Sequence, residues 1–193
     1  MTKAICVYCA SSRQCAAEYH DAARRLGGTL AASGYGVVYG GGGGGSMGAL
    51  ADGALARGGT VVGVLPRFMV ELEWGHKGLS ELLLVDDMRQ RKHLMLERSH
   101  GVVALPGGCG TLDELFEALT LKRLGLYLHP IVLVNTRGYF DPVVKLLSSA
   151  VLERFMDERH RTMWQVVSEP EQVPAAIAAA PPWTSDAQGF AVP

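Results

Sequence analysis

Three segments of this chain carry residue types that bind anions or move protons. The first is Tyr39 followed by six glycines, Gly40–Gly45, and then Ser46-Met47-Gly48. Glycines ahead of a helix start let backbone N–H groups approach an anion, and the helix N-terminus adds the positive end of its dipole. Gly43, Gly44, Gly45 and Ser46 are the candidate contacts. A Walker A loop requires Gly-Lys-Ser/Thr, and no lysine stands here. The string Gly43-x-Gly45-x-x-Gly48 satisfies the dinucleotide fingerprint literally. However, it follows the second strand-like run, and the next run ends in Pro66-Arg67 without the acidic ribose ligand. A tight turn that binds nothing is the competing reading.

The second segment is Pro106-Gly107-Gly108-Cys109-Gly110-Thr111-Leu112-Asp113-Glu114. Glycines again precede a helix start, now with a hydroxyl and two carboxylates. Thr111-x-x-Glu114 also has the spacing of a capping box, in which the two side chains satisfy helix N-terminal N–H groups. A cap alone does not require Gly-Gly-x-Gly before it, whereas a phosphate-binding turn does. The third segment is Met88-Arg89-Gln90-Arg91-Lys92-His93-Leu94-Met95. On a helix, Met88, Arg91, Lys92 and Met95 share one stripe. If the methionines face inward, so do Arg91 and Lys92, and buried cations need an anionic partner from the protein or a ligand. A solvated charge run is the alternative, and it suits Arg89 and His93.

These segments must be held by the elements between them. Short β-branched runs alternate with helical stretches: residues 4–8, 36–39, 60–65, 82–85, 101–105, 131–134 and a weak 165–167 read as strands. Residues 16–33, 46–57, 88–99 and 111–124 read as helices, with two further helical stretches flanking the last strand. Near-continuous apolar strands, each followed by a helix, imply a parallel sheet buried on both faces. The expectation is one doubly wound, Rossmann-like α/β domain over residues 1–180 with about seven strands. Residues 181–193 lack periodicity and read as a loose tail. In such sheets ligands sit beyond the carboxyl ends of the strands, and the three segments fall there.

Composition narrows the function classes. The chain has 193 residues, of which 48% are hydrophobic and 19% charged, enough for a full core and unlike a disordered segment. Glycine is in excess, 24 residues or about 12% against roughly 7% on average. A net charge of −1 provides no basic field for nucleic acid. The apolar stretch from Ala4 to Ala10 is too short for a membrane span or a signal core, so a cytoplasmic location is expected. Four cysteines do not suggest a disulfide framework, and Cys6 and Cys9, three apart in a strand, point to opposite faces. Neither a metal nor a cofactor is expected.

With its motifs in this order and spacing, the sequence resembles the Lonely Guy family of phosphoribohydrolases, once labelled possible lysine decarboxylases. The resemblance rests on PGGCGTLDE (family PGGxGTxxE), MRQRK (family MxxRK), CVYCASS and the glycine turn ending in SMG, and it runs from about Ile5 to Ile177. It implies hydrolysis of the N-glycosidic bond of adenosine 5'-monophosphates, notably N6-prenylated ones, giving the free base and ribose 5-phosphate. It further implies catalytic roles for Arg91 and Glu114. Met88, Lys92, Gly107, Gly108, Cys109, Gly110, Thr111, Leu112, Asp113 and Thr120 would contact the nucleotide, with Glu73 as a further contact. A homodimer is implied too, and the apolar Met95, Leu96, Leu115, Phe116, Leu119 and Leu124 are candidates for its interface. Cys109, Arg89 and Leu121-Lys122-Arg123 depart from the family pattern, which bears on base preference. The competing readings are a pyridoxal-phosphate decarboxylase, which needs a Schiff-base lysine, and a nucleotide carrier that binds without cleaving.

Overall fold

A computed structural model describes residues 3–72 and 75–191, apart from the side chain of Glu71. Seven strands form one sheet: β1 (Ala4–Tyr8), β2 (Gly36–Tyr39), β3 (Val61–Pro66), β4 (Glu81–Val85), β5 (Val102–Ala104), β6 (Ile131–Val134) and β7 (Gln165–Val167). The order across it is β4-β3-β2-β1-β5-β6-β7, and every pairing is parallel. The expectation of a Rossmann-like parallel sheet is met. Parallel neighbours need crossovers, which helices supply: α1 (Ala17–Ala32), α2 (Gly45–Leu55), α4 (Met88–Glu97), α5 (Cys109–Arg123), α6 (Asp141–Leu152) and α7 (Val173–Ala179). A short α3 (Arg67–Glu71), absent from the sequence reading, follows β3.

The pleat sorts the core into two layers, since successive side chains point to opposite faces. Ile5, Val7 and Cys9 pack with α1 and α2 through Leu26, Leu30 and Leu50. Cys6 and Tyr8 pack on the other face with Met95, Leu96, Leu115 and Leu119 of α4 and α5. The two strand cysteines therefore lie in separate layers, both buried. Met95, Leu96, Leu115 and Leu119 are at most 6% exposed and belong to this core. That corrects their assignment as a spare apolar face: one sheet face does cover them, and only Leu124 of the set is exposed.

The tail also differs from its reading. Trp183 donates its indole N–H to the Lys122 carbonyl at 2.7 Å, Arg123 donates to the Ala191 carbonyl, and Ala187 and Ala191 are buried. Residues 181–191 are thus docked against the end of α5 and the loop after it. Their contacts are single aromatic and polar anchors, which leave no periodic signature. Among the described residues no helix is long and apolar enough to cross a membrane.

Strand order fixes where a ligand can sit. The chain lays β2, β3 and β4 to one side of β1 and then returns to lay β5, β6 and β7 on the other, so the direction of winding switches between β1 and β5. Loops leaving adjacent strand ends diverge at that switch and open a crevice.

Candidate active site

A cavity of about 820 Å³ occupies this crevice, within the roughly 300–1,000 Å³ of small-molecule sites. Its walls come from the loop after β1 (Cys9–Arg13), the glycine run after β2, the start of α4 and the start of α5. Two helix N-termini face it. Gly44 caps α2 and Gly108 caps α5, neither through a side-chain hydrogen bond, so the first N–H groups of both helices have no side-chain acceptor. Gly43, Gly44, Gly108, Gly110 and Thr111 line the space, and Gly45 and Ser46 open α2 behind them.

The α5 boundary decides between the two readings of Thr111 and Glu114. The helix starts at Cys109, so Thr111 is its third residue rather than its N-cap, and Glu114 lies a turn further in. The capping-box reading is thereby overturned. Thr111 is buried against Gly107, where an added Cβ would come within 2.2 Å of the threonine Oγ1. Tyr139 donates its hydroxyl to the Gly107 carbonyl and holds the turn from the outside.

Arg91 and Glu114 meet at the floor of the cavity. Both are 5% exposed, with Arg91 Nη1 at 3.4 Å from Glu114 Oε1. Asp87 caps α4 by accepting from Gln90 N at 2.8 Å, which fixes where the arginine enters. Its guanidinium donates from Nε to Val64 O at 3.1 Å and from Nη2 to Gly40 O at 2.9 Å. Two donors are spent on strand-end carbonyls, so Nη1 is left facing Glu114 and the Met88 sulfur. This approach requires glycine at position 40, because a Cβ there would lie 1.7 Å from Nη2.

Burial pushes the Glu114 carboxyl up to about 7. The Arg91 guanidinium opposes the shift, Asp113 adds to it, Lys92 opposes it and Glu117 adds to it. A carboxyl poised there exchanges protons at neutral pH, which is what general acid–base work requires.

Other sequence candidates lie elsewhere. Lys92 turns away to pair with Asp113 at 2.9 Å and Glu117 at 2.5 Å, clamping α4 to α5 beside the cavity rather than lining it. Thr120 is exposed and bonds the Phe116 carbonyl in its own helix, about 14 Å along α5 from Thr111 at 1.5 Å per residue. Leu112 packs toward the core, and Cys109 is exposed at the first turn. Glu73 lies outside the described residues. Met88 lines the cavity, and so do Ser11, Ser12, Arg13, Met47, Leu65 and Lys77, none of which was among the expected contacts. Ser11 and Ser12 close the CVYCASS motif, and with Arg13 they follow the first strand at its carboxyl end, which were the advance signals for them.

This site has known counterparts. The family described as possible lysine decarboxylase matches residues 47–177. A relative from Rhodococcoides fascians, named cytokinin riboside 5'-monophosphate phosphoribohydrolase, is 41% identical over 91% of this chain and 89% of its own. Arabidopsis thaliana has a relative of the same name, LOG1, 38% identical over 87% of this chain and 78% of its own. The chain belongs to this family. Its fold is also that of the molybdenum cofactor carrier protein of Chlamydomonas reinhardtii, with a TM-score of 0.72 at 23% identity over 92% of this chain and 97% of that one.

The older description of the family implies a pyridoxal-phosphate decarboxylase, and the residues do not fit one. Lys92 is tied to two carboxylates away from the cavity, and Lys122 is buried beneath Trp183 at the other end of α5. Lys77 does line the cavity, but it is an exposed side chain at the rim. The family departures mostly lie outside the cavity too. Arg89 is exposed, and Lys122 and Arg123 hold the His129 carbonyl and the docked tail.

Proposed function

We propose that the protein hydrolyses the N-glycosidic bond of adenosine 5'-monophosphates, including N6-prenylated ones, releasing the base and ribose 5-phosphate. The observation that carries this reading is the buried Arg91–Glu114 pair at the floor of a cavity bounded by two helix N-termini whose N-caps are glycines. The names of the relatives support the same chemistry. Glycosidic cleavage at ribose develops positive charge on the sugar, which a carboxylate stabilises while it draws a proton from the attacking water. Glu114 is the carboxylate in that position. The Arg91 guanidinium favours the ionised form of Glu114, partly offsetting its burial, and offers Nη1 to the substrate. The α5 N-terminus, with Gly108, Gly110 and Thr111, seats the 5'-phosphate, whose remote binding energy helps place the sugar. Met47, Leu65, Met69 and Met88 supply an apolar wall for the base and its N6 substituent.

No metal or cofactor takes part in this reaction. The protein acts in the cytoplasm as a homodimer, with exposed apolar side chains such as Phe68, Leu72, Leu82, Leu84 and Leu126 available to a second copy. Sedimentation then gives twice the 20.6 kDa chain mass. The reaction is tested by incubating the protein with AMP and with N6-isopentenyl-AMP and separating the bases. Release of adenine or isopentenyladenine with ribose 5-phosphate supports it. Tight binding without release identifies a carrier instead.

A further inference from the structure

We propose that Cys15 and His20 form a reactive thiol site, open to mixed-disulfide modification by low-molecular-weight disulfides, behind the Ser11–Arg13 loop that walls the nucleotide cavity. Of the four cysteines, Cys6 and Cys9 are sealed in the core and Cys109 is exposed. Cys15 is half-buried just before α1, and its Sγ lies 3.1 Å from His20 Nε2. The same nitrogen lies 3.0 Å from the Ser12 carbonyl, while Sγ is 3.7 Å from that oxygen. A carbonyl oxygen only accepts, so Nε2 carries the hydrogen, and its N–H, shared with the Ser12 oxygen, also faces Sγ and favours a thiolate there. His20 stands in the first turn of α1, and Cys15 lies just before that helix with its Sγ also turned toward the Ser12 carbonyl.

The step balances without an outside oxidant beyond the disulfide. Cys15 gives its thiol proton to water, and the thiolate, held by the His20 Nε2–H, attacks one sulfur of the disulfide. The S–S bond breaks and a Cys15–sulfur bond forms, and the departing thiolate takes a proton from water. One small thiol is released and one remains attached to the protein.

Position gives the adduct a consequence. Ser11, Ser12 and Arg13 line the cavity, and their loop has no room to yield toward α2. Met47 N donates to Ala10 O at 3.1 Å, and a Cβ on Gly45 would already lie 2.3 Å from Ser12 O. A tripeptide adduct on Cys15 displaces the His20–Ser12 contact and moves this wall, while Arg91 and Glu114 stand on other elements. Modification therefore raises KM and leaves kcat nearly unchanged. That consequence rests on the nucleotide-hydrolase reading above, whereas the thiol chemistry does not.

The test treats the full chain with glutathione disulfide and maps adducts by peptide mass over time. Cys109, which has no His partner, serves as the internal reference. In wild type Cys15 becomes modified, and in His20→Phe, which keeps a ring but no donor, the Cys15/Cys109 rate ratio falls about tenfold or more, with the thermal midpoint showing that the variant is folded. An unchanged ratio, or a Cys15 that stays unmodified, overturns the proposal. In the activity arm, glutathione disulfide raises the KM of wild type and dithiothreitol restores it. Cys15→Ser keeps its starting activity and does not respond. Should Cys109→Ser abolish the response while Cys15→Ser retains it, the regulatory half of the proposal fails. If no nucleotide is hydrolysed at all, the labelling result still stands or falls by itself.

Discussion

At the scale of single residues, the proposed chemistry turns on a carboxyl that burial holds near pH 7 and an arginine that only partly offsets that burial. Because kcat/KM reports ionisations of the free enzyme, it should rise with pH through a limb near 7 as Glu114 loses its proton. Glu114→Gln should lower base release by about a hundredfold or more and abolish the limb, since a neutral amide neither stabilises the ribosyl cation nor activates water. A limb that survives in the glutamine variant would assign the titration to another group. The same shift has a stability consequence of definite sign. The folded value of about 7 lies above the ordinary 4.5, so the folded chain binds more protons across that interval, and stability is lost as pH rises through it. Glu114→Gln should therefore gain about 1–3 kcal/mol relative to wild type between pH 4.5 and pH 8, read from denaturant unfolding at each pH. Arg91→Met gives a complementary test: without the guanidinium at 3.4 Å, the Glu114 carboxyl band in infrared titration should move above 7. No movement would mean that the pair is coupled too weakly for Arg91 to set the ionisation. The resemblance implied catalytic roles for Arg91 and Glu114, and spacing offered Arg91 as a buried cation. Spacing also placed Lys92 beside it, because a stripe cannot tell a buried cation from one that reaches sideways to Asp113 and Glu117.

At the scale of elements, the strand pattern was readable because the central runs are apolar and buried on both faces, the edge strands β4 and β7 being partly exposed, and all seven strands stand where such runs were read. Boundaries were less readable where glycine does the capping. Thr111-x-x-Glu114 has a capping-box spacing, but α5 begins two residues earlier because Gly108 takes the N-cap and Gly107 lets Thr111 fold back onto the turn. The glycine run after β2 was legible as an anion turn, yet one of its glycines serves the arginine instead. Gly40 leaves open the space that Arg91 Nη2 occupies beside the Gly40 carbonyl. Gly40→Ala should expel the guanidinium, reduce activity as far as an Arg91 substitution does, and cost about 1–3 kcal/mol for overpacking. Gly43→Ala is the control from the same run. Its Cβ would lie 3.3 Å from Gly75 O and His76 Cα, so these need shift by only a few tenths of an ångström and the loss should be smaller than at Gly40. Equal losses in both variants would show that the run is sensitive to any side chain and that Arg91 is incidental.

At the scale of the whole molecule, the last stretch of chain dries a lysine. Lys122 is 2% exposed, its Nζ donates to the His129 carbonyl at 2.7 Å, and the Trp183 ring lies 5.4 Å away. Burial lowers the Lys122 amine to about 8. A sequence without periodicity in this stretch gave no sign of such docking, because one indole and one carbonyl do the work that a repeating apolar face would otherwise advertise. The folded value lies below the ordinary 10.5, so between pH 8 and pH 10.5 the unfolded chain binds more protons and stability rises with pH. Below pH 8 the fold carries the full cost of the buried charge. Lys122→Met removes that cost, and its stability relative to wild type should decline by about 1–3 kcal/mol as pH rises from 8 to 10.5. Comparing the two proteins cancels the tyrosines and cysteines that titrate in the same range. Ending the chain at Ala180 removes Trp183 and lets water reach the amine, so the truncated pair, with and without Lys122→Met, should show a much smaller pH-dependent difference and a lower thermal midpoint. If the difference persists at full size after truncation, the α5 end and His129 alone dry the amine, and the tail serves only to cover apolar surface.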